Sequence, residues 1–372
     1  SEESFPLEID YCENCHLCQL SYIVNPEDLF KNYLYVSSTT DTFKKHFEAM
    51  AEKVRDDFSL NSSSLVIDIG SNDGFLLKKF KERGVRVVGV EPAENICDIA
   101  RSEGIDTLNG FFNQDIVEDI IKMKGKADIV TANNVFAHIA DIKKFTKDVK
   151  DLLKDNGVLI IEVQYILDTI QQLTFDNIYH EHLSYFSVMS LNEFFNRQDM
   201  QIFRVEHINT HGGSIRVYIQ KSKGKHVKDQ SVSHFLEKER KFGLDKFETY
   251  KKFAETIQEK KDEIREFLAE IKNKGKKIIG YGAPAKATTL LNFYKIDNKF
   301  IDYIVDDNPL KHGMIVPGVR IPIKNREYID KNIPDYIMIL AWNFADEIIK
   351  KNAAYSKNGA KFIIPAPELK VV

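Results

Sequence analysis

The stretch VIDIGSNDGFLL, residues 66–77, decides the fold of this chain. The apolar run at 64–69 ends in a glycine and predicts a buried strand, and residues 74–83 predict the helix that follows it. Glycine lets the turn between them take positive φ and approach a ligand closely. The free N–H groups at the start of the helix face the same point. The predicted ligand-binding residues of this turn are Gly70, Asn72, Asp73 and Gly74.

An acidic residue follows at the end of the next predicted strand, in VVGVEPA at 87–93. This residue, Glu91, is placed to accept both hydroxyls of a ribose. A dinucleotide site would usually show G-x-G-x-x-G, which the turn lacks. The pattern D-I-G-x-x-x-G, which starts at Asp68, instead resembles motif I of class I S-adenosylmethionine methyltransferases. We therefore favour S-adenosylmethionine over a dinucleotide here, and over a βα turn without a ligand.

Strand and helix patterns alternate through the rest of this region. Further strands are predicted at 86–90, 128–131 and 158–163, with helices at 93–103 and 142–153. This alternation predicts a parallel sheet of βαβ units that binds ligands at the carboxyl ends of its strands. From 201 to 220 the period changes to two around NTHGGS, which predicts a β-hairpin.

A second α/β unit is predicted nearer the carboxyl terminus. A polar linker at 221–231 leads to a long helical region at 233–274, broken near Gly243. The stretch KKIIGYGAPAKATTLL, residues 276–291, then predicts strand, glycine-rich turn and helix. The predicted fold class is α/β with two Rossmann-like units. The predicted parts are an N-terminal segment at 1–60, a ligand-binding domain at 61–225 and a C-terminal domain at 231–372.

The composition excludes several classes of protein. The 372 residues carry a net charge of −4, so there is no basic excess for binding nucleic acid. No apolar run approaches the ~20 residues that a membrane span needs, and no secretory signal pattern is present. Four cysteines are too few for a disulfide framework and favour a reducing, cytoplasmic location. We expect no nucleic-acid or membrane partner.

A histidine-rich stretch, YHEHLSYFS at 179–187, follows the strand predicted at 158–163. Histidine titrates near neutral pH and suits proton transfer, glutamate can orient it, and tyrosine can donate to a developing oxyanion. The HExxH zinc pattern is absent, which makes a metal site the weaker interpretation. A purely structural polar loop is the remaining alternative. The candidate catalytic residues are Tyr179, Glu181 and His182.

The stretch ANNVFAHI, residues 132–139, follows the strand predicted at 128–131. Asn133 and Asn134 can hydrogen-bond a polar ligand at that strand end, Asn133 as a candidate donor-binding residue and Asn134 as a candidate substrate-binding residue. His138 is a further catalytic candidate. Taken alone, His138 could equally cap a helix.

Several segments together resemble the sugar C-methyltransferases that act on nucleotide-linked 4-keto-6-deoxyhexoses. The resemblance covers nearly the whole chain. Its motifs are FPLEIDYCENCHLCQL at 5–20, VIDIGSNDGFLL, NNVFAHI, YHEHLSYFS, HGGSIRVY at 211–218 and GYGAPAKATTLLNFY at 280–294. It implies a small N-terminal zinc-binding part, a methyltransferase domain that binds S-adenosylmethionine, and a C-terminal Rossmann-like domain.

The resemblance also implies roles for individual residues. His182 would remove the C3 proton of the sugar, with Glu181 orienting it, while Tyr179 and His138 would hold the sugar or the enolate oxygen. Tyr33, beside Tyr35, would lie over the donor, whose sulfonium an aromatic face favours. The substrate, expected to be dTDP-linked, would contact these residues: Asn134, His211, Gly280, Gly282, Ala283, Lys286 and Asp306.

The cysteine cluster departs from the family pattern. Family members hold zinc with two C-x-x-C pairs, and only the second pair, Cys12 and Cys15, is present in this sequence. His16 and Cys18 could complete a four-ligand set, but the spacing is too compact for easy tetrahedral closure. A zinc site and an unused half-site are therefore both open.

Other functions compete with C-methylation. An O-methyltransferase would need a base beside a hydroxyl but no ketone in its substrate. An NAD-dependent oxidoreductase could use GYGAPAK, at 280–286, although that turn lacks the third glycine of the dinucleotide pattern. A binding module without activity is the last alternative. The histidine-rich stretch and the second glycine turn favour carbon chemistry on a nucleotide sugar.

Overall fold

The computed structural model describes residues 2–25, 29, 41–210 and 212–372. By their contacts these residues divide into two compact units. The first comprises Glu8–Tyr165 and His180–Asp245 and is called the methyltransferase unit after the domain that the resemblance predicts. The second, here the C-terminal unit, comprises Ser1–Leu7, Ile166–Tyr179 and Lys246–Val372. The sequence-based division at 1–60, 61–225 and 231–372 stays a prediction.

The strands are numbered in chain order as follows: β1 Ile9–Tyr11, β2 Cys18–Leu20, β3 Leu65–Ile69, β4 Arg86–Glu91, β5 Thr107–Asn109, β6 Ala127–Asn133, β7 Leu153–Gln164, β8 Ser184–Tyr185, β9 Met200–Ile208, β10 Ser214–Lys221, β11 Ile278–Tyr281, β12 Ile304–Val305, β13 Ile323–Lys324, β14 Tyr336–Ile339, β15 Lys361–Ile364 and β16 Lys370–Val371. The helices are α1 Asp41–Asp57, α2 Phe75–Glu82, α3 Glu94–Ser102, α4 Gln114–Lys124, α5 Ile142–Leu152, α6 Ile166–Gln171, α7 Val188–Arg197, α8 Gln230–Phe242, α9 Phe247–Asn273, α10 Ala285–Tyr294, α11 Glu327–Lys331, α12 Ala345–Lys351 and α13 Ala353–Lys357.

The methyltransferase unit is built on a seven-stranded sheet in the order β5-β4-β3-β6-β7-β10-β9. The five strands from β5 to β7 pair in parallel, whereas β10 is antiparallel to both β7 and β9. Every residue of β3 is buried, as expected for a central strand covered by helices on both faces. This strand order is that of the class I methyltransferase fold, so the predicted fold class is confirmed.

Helix α1 covers one face of this sheet because its apolar residues recur at helical spacing. Phe47, Met50, Ala51 and Val54 are buried and join a core cluster with residues of α2 and the sheet. A separate small antiparallel sheet, β1-β2-β8, ties the N-terminal residues to the histidine-rich stretch. The predicted hairpin is confirmed as β9 and β10.

The C-terminal unit holds a six-stranded sheet in the order β13-β12-β11-β14-β15-β16. All its pairings are parallel except that between β15 and β16. The first strand, β11, lies between β12 and β14, so the glycine turn after β11 stands where the strand order reverses. The predicted break near Gly243 is confirmed, because that glycine ends α8 in the left-handed conformation. In the part of the chain that the structure describes, no helix has both the length and the apolarity to cross a membrane.

Candidate active site

The glycine turn between β3 and α2 takes the conformation that its sequence predicts. Gly70, Asn72 and Gly74 all have positive φ, at 64°, 49° and 74°. A Cβ on Gly70 would stand 2.4 Å from the Val135 side chain, so only glycine fits there. The turn is therefore shaped for backbone to lie close to a ligand, at the carboxyl end of the central strand.

Glu91 is attached to this turn from the neighbouring strand. One carboxylate oxygen accepts the N–H of Asn72 at 2.9 Å, and the other accepts the N–H of Ala93 at 2.9 Å. Burial raises the pKa of Glu91, and these two hydrogen bonds partly offset the rise. The carboxylate thus holds the turn by hydrogen bonds, and its remaining lone pairs can accept hydroxyl groups of a ligand.

Asp68 is a second buried carboxyl at this strand end. Its Oδ1 accepts the hydroxyl of Thr131 at 2.6 Å. Burial is the largest cause that raises its pKa to about 7, and the charge of Glu91 adds to the rise, whereas Thr131 and Asn133 oppose it. Asp68 therefore exchanges its proton near neutral pH, which makes its charge responsive to a cationic ligand.

Asp68 and the glycine turn line one cavity of the methyltransferase unit. Its lining residues are Phe47, Asp68, Gly70, Ser71, Asn72, Asp73, Phe75, Leu76 and Asn133. Four of the residues predicted for the donor site, Gly70, Asn72, Asp73 and Asn133, are thus brought together. Phe47, on α1, was not predicted, because nothing local marks an apolar residue of an amphipathic helix as a cavity wall.

The two catalytic histidine candidates lie side by side. The ring of His138 meets that of His182 edge to face, with centroids 5.0 Å apart and planes at 73°. The Leu183 N–H donates to the Ala137 carbonyl at 2.7 Å, which joins the histidine-rich stretch to the short helix at 136–138. His182 is buried. Two motifs more than forty residues apart therefore form one polar centre.

The remaining residues predicted for this centre are Asn134, Glu181 and Tyr179. Asn134 has a φ of 56°, and its N–H donates to the Glu162 carbonyl at 2.7 Å. Glu181 is partly buried in the methyltransferase unit, and Tyr179 is the last residue of a C-terminal-unit segment. Their catalytic roles stay predictions. Tyr33, Tyr35 and His211 lie outside the described residues.

The second glycine turn is held by a carboxylate in a similar way. The Asp306 carboxylate accepts the Ala283 N–H at 2.6 Å, and Gly282 donates its N–H to the Val305 carbonyl at 2.7 Å. The Lys311 ammonium donates to the Ala283 carbonyl at 2.8 Å. Gly280, Gly282, Ala283 and Asp306 thus form one strand-end site within the C-terminal unit.

Lys286, predicted to meet a diphosphate, already has partners inside the C-terminal unit. Its ammonium lies 3.7 Å from a carboxylate oxygen of the buried Asp176, donates to the amide oxygen of Asn343 and stands over the Trp342 ring. The Trp342 indole N–H donates to the same Asp176 oxygen at 2.7 Å. Burial lowers the pKa of Lys286 and raises that of Asp176, each partly offset by the other group. Binding of phosphate by Lys286 stays a prediction.

The cysteine cluster shows no complete metal site. Cys12 is exposed, Cys15 is half-buried and Cys18 is buried in β2. Backbone N–H groups of Cys15 and Asn14 donate to the Cys12 sulfur and lower the pKa of this thiol. Among residues 2–25, 29, 41–210 and 212–372, no three His, Cys, Asp or Glu side chains converge as metal ligands. The described ligands therefore do not by themselves fit zinc, and zinc at Cys12 and Cys15 stays a prediction.

One charged cluster was missed by the sequence analysis. His46 and Arg216 both contact the carboxylate of Glu162, which is buried at the end of β7. The only sequence signal is an acidic residue inside the apolar run LIIEV at 159–163, opposite an arginine in IRVYI at 215–219. Neither signal identifies its partner, because the pairing depends on the register of β7 and β10.

Comparison with known proteins agrees with this fold. A methyltransferase-domain model matches residues 43–205, and a model of the C-methyltransferase C-terminal domain matches residues 209–367. The C-methyltransferase NovU of Streptomyces niveus is 35% identical over 100% of this chain and 88% of that protein.

More distant similarities cover only part of the chain. A ubiquinone biosynthesis O-methyltransferase of Azorhizobium caulinodans is 26% identical over 32% of this chain and 47% of its own length. A solved S-adenosylmethionine-dependent methyltransferase of Clostridium acetobutylicum covers 50% of this chain and 94% of its own, with 14% identity and a TM-score of 0.39, which supports no conclusion. The two domain models and the full-length relative support S-adenosylmethionine as the methyl donor. The chain belongs to the C-methyltransferase family.

Proposed function

We propose that this protein transfers a methyl group from S-adenosylmethionine to C3 of a nucleotide-linked 4-keto-6-deoxysugar. The observation that carries the proposal is the pair of His138 and His182, whose rings lie 5.0 Å apart in the unit that also holds the glycine-turn cavity. A general base and a second proton-bearing group are what enolate formation requires. The family match supports carbon as the acceptor atom.

The glycine-turn cavity suits the methyl donor. The ribose of S-adenosylmethionine would hydrogen-bond Glu91. The cationic amino-acid part of the donor would contact the turn of Gly70, Asn72, Asp73 and Gly74. Asp68 and Asn133 complete the polar wall, and Tyr33 is the proposed aromatic cover. When bound, the donor supplies an electrophilic methyl group, which the substrate carbon takes up as S-adenosylhomocysteine is released. No metal ion is used in this proposal.

The protein's own residues make the substrate carbon nucleophilic. A ketone at C4 acidifies the proton on C3, and His182 accepts that proton while the C–H electron pair moves into the enolate. Glu181 orients His182 and balances its positive charge. Tyr179 and His138 donate to the oxygen at C4, which carries the enolate charge. General-base catalysis of this kind contributes roughly 10²–10⁴-fold to a rate.

The C-terminal unit is the proposed site for the nucleotide part of the substrate. Backbone N–H groups beside Gly280, Gly282 and Ala283 and the ammonium of Lys286 suit a diphosphate. Asp306 would accept hydrogen bonds from the ribose or the base of the nucleotide. A dTDP-linked sugar is the substrate class that the family resemblance favours.

Incubation with S-adenosylmethionine and a dTDP-4-keto-6-deoxyhexose tests this function, with mass spectrometry of both products. We expect S-adenosylhomocysteine and a sugar heavier by one methylene. His182→Ala should abolish turnover and keep donor affinity, while His180→Ala, in the same stretch, is the matched control and should stay active. Transfer by His182→Ala at the wild-type rate would refute the assigned base. Failure of the wild-type chain to bind the donor would refute the function itself.

A further inference from the structure

A row of polar side chains runs across the sheet of the methyltransferase unit. The strand register pairs Asn133 with Glu162, Glu162 with Arg216, and Arg216 with Glu206. Residues directly opposite each other on neighbouring strands point to the same face of a sheet. Asn133, at one end of the row, lines the glycine-turn cavity. The row therefore connects the cavity wall with a buried charged cluster on the next two strands, β7 and β10.

The His46–Glu162–Arg216 cluster has close ionic geometry. Arg216 donates to one carboxylate oxygen of Glu162 through Nη2 at 2.9 Å and Nε at 3.1 Å. His46 Nε2 lies 2.9 Å from the other oxygen. The side chains of Glu162, Arg216 and His46 are 0%, 5% and 12% exposed. Burial raises the pKa of Glu162, but His46 and Arg216 outweigh it and hold the pKa below its usual range.

Such a cluster adds little net stability to the fold, but it fixes the positions of the groups that it joins. Removing charges from water costs about as much as their attraction returns, so an apolar replacement could stabilise the fold equally well. The ionic contacts, unlike apolar packing, set one distance and one orientation. The other buried contacts of α1 with the core are apolar, and its further ion pairs with the sheet, Lys53 with Glu206 and Asp57 with Arg204, are more exposed than the cluster.

The helix that the cluster fixes is a wall of the cavity. His46 lies on α1, and Phe47, the next residue, lines the cavity. The cluster therefore attaches α1 to β7 and β10 one residue away from that wall. The Glu162 carbonyl also accepts the N–H of Asn134, so the same residue holds the turn after β6.

We propose that His46, Glu162 and Arg216 are positioning residues that hold α1, and with it Phe47, as the wall of the methyl-donor pocket. The inference rests on the proposed function, because it takes the glycine-turn cavity as the donor site. Loss of the link lets α1 shift against the sheet and weakens donor binding. The chemical step, which uses the His138 and His182 pair, is left unchanged once donor is saturating.

The test compares two substitutions at one position. His46→Leu removes the hydrogen bond to Glu162, whereas His46→Gln keeps a hydrogen-bond donor for that carboxylate. Calorimetry with S-adenosylmethionine should show a Kd about tenfold higher for His46→Leu and within about threefold of wild type for His46→Gln. Under saturating donor, kcat should stay within about threefold of wild type in both variants. Arg55→Gln, which removes an exposed ion pair with Asp56 on the same helix, is the control and should bind normally.

A second variant guards against a folding defect. Glu162→Gln keeps the volume but loses the charge, and it should raise the donor Kd at least as much as His46→Leu, with each melting curve recorded alongside. Unchanged donor affinity in folded His46→Leu and Glu162→Gln would overturn the positioning role alone. Equal loss of affinity in the Leu and Gln variants at 46 would overturn it as well. A wild-type chain that fails to bind the donor would instead refute the proposed function, and this inference with it.

Discussion

Replacing Asp68 with asparagine should stabilise the protein and weaken its donor site. Asp68 is buried at the end of β3, and its Oδ1 accepts the Thr131 hydroxyl at 2.6 Å. Asparagine has nearly the same shape and can still accept that hydroxyl through its amide oxygen. The substitution therefore removes mainly the free-energy cost of ionising a buried carboxyl.

The structure gives the size and the sign of the effect. Burial raises the pKa of Asp68 from 3.8 to about 7. A rise of that size corresponds to at most ~4 kcal/mol of unfolding free energy. The raised pKa means that folding favours the neutral acid, so the cost is absent below pH 3.8 and fully present above about pH 7. Asp68→Asn should gain ~2–4 kcal/mol at pH 8 and about 40% of that at pH 5.

Urea unfolding without donor, at pH 8 and at pH 5, measures this gain. Asp155→Asn, on the surface, is the control and should change the free energy of unfolding by less than about 0.5 kcal/mol at either pH. Calorimetry should show at least a roughly tenfold weaker Kd for S-adenosylmethionine in Asp68→Asn, because the cationic donor loses a carboxylate. An equal gain at both pH values, or a loss of stability at pH 8, would refute the assignment of a buried, proton-exchanging Asp68.

Three further predictions concern other parts of the structure. Gly70→Ala should cost ~3 kcal/mol of unfolding free energy and abolish donor binding, because the added Cβ would stand 2.4 Å from the Val135 side chain. Gly84→Ala is also at positive φ but has open space around it, so it should cost only ~1 kcal/mol in the same urea experiment. The Glu239 carboxylate caps α7 by accepting two N–H groups at its start, so Glu239→Ala should lose ~3 kcal/mol of unfolding free energy in urea. A loss below about 0.5 kcal/mol would contradict this capping role. Lys286→Met should lose ~3 kcal/mol of unfolding free energy, because it leaves the buried Asp176 without its cation. Adding Asp176→Asn to this variant should restore most of the lost stability, and no restoration in thermal melts would argue against the ion pair.

Local sequence was sufficient for the parts of the fold that depend on neighbouring residues. The apolar run before Gly70 and the acidic end of β4 are short-range patterns, and both lie where they were predicted. The hairpin at β9 and β10 follows from alternation around a glycine pair. The antiparallel position of β10 between β7 and β9 could not be derived from local pattern, because pairing partners are set by the tertiary fold.

The candidate site shows the same limit. Sequence motifs identified His138 and His182 separately, but their ring contact depends on the hydrogen bond between Leu183 and Ala137. Phe47 as a cavity wall was not predicted, because the apolar face of a helix looks alike whether it meets core or ligand. The buried partners of Lys286 were missed for a related reason, since Asp176 is over a hundred residues away in sequence.

The site of the transferred methyl group tests the central claim most directly. The protein is incubated with S-adenosylmethionine carrying a ¹³C-labelled methyl and a dTDP-4-keto-6-deoxyhexose, and the sugar product is analysed by NMR. The proposed function predicts a labelled methyl bonded to a ring carbon next to the ketone, formed by the wild-type chain and not by His182→Ala. A labelled methyl on oxygen would contradict it and identify an O-methyltransferase.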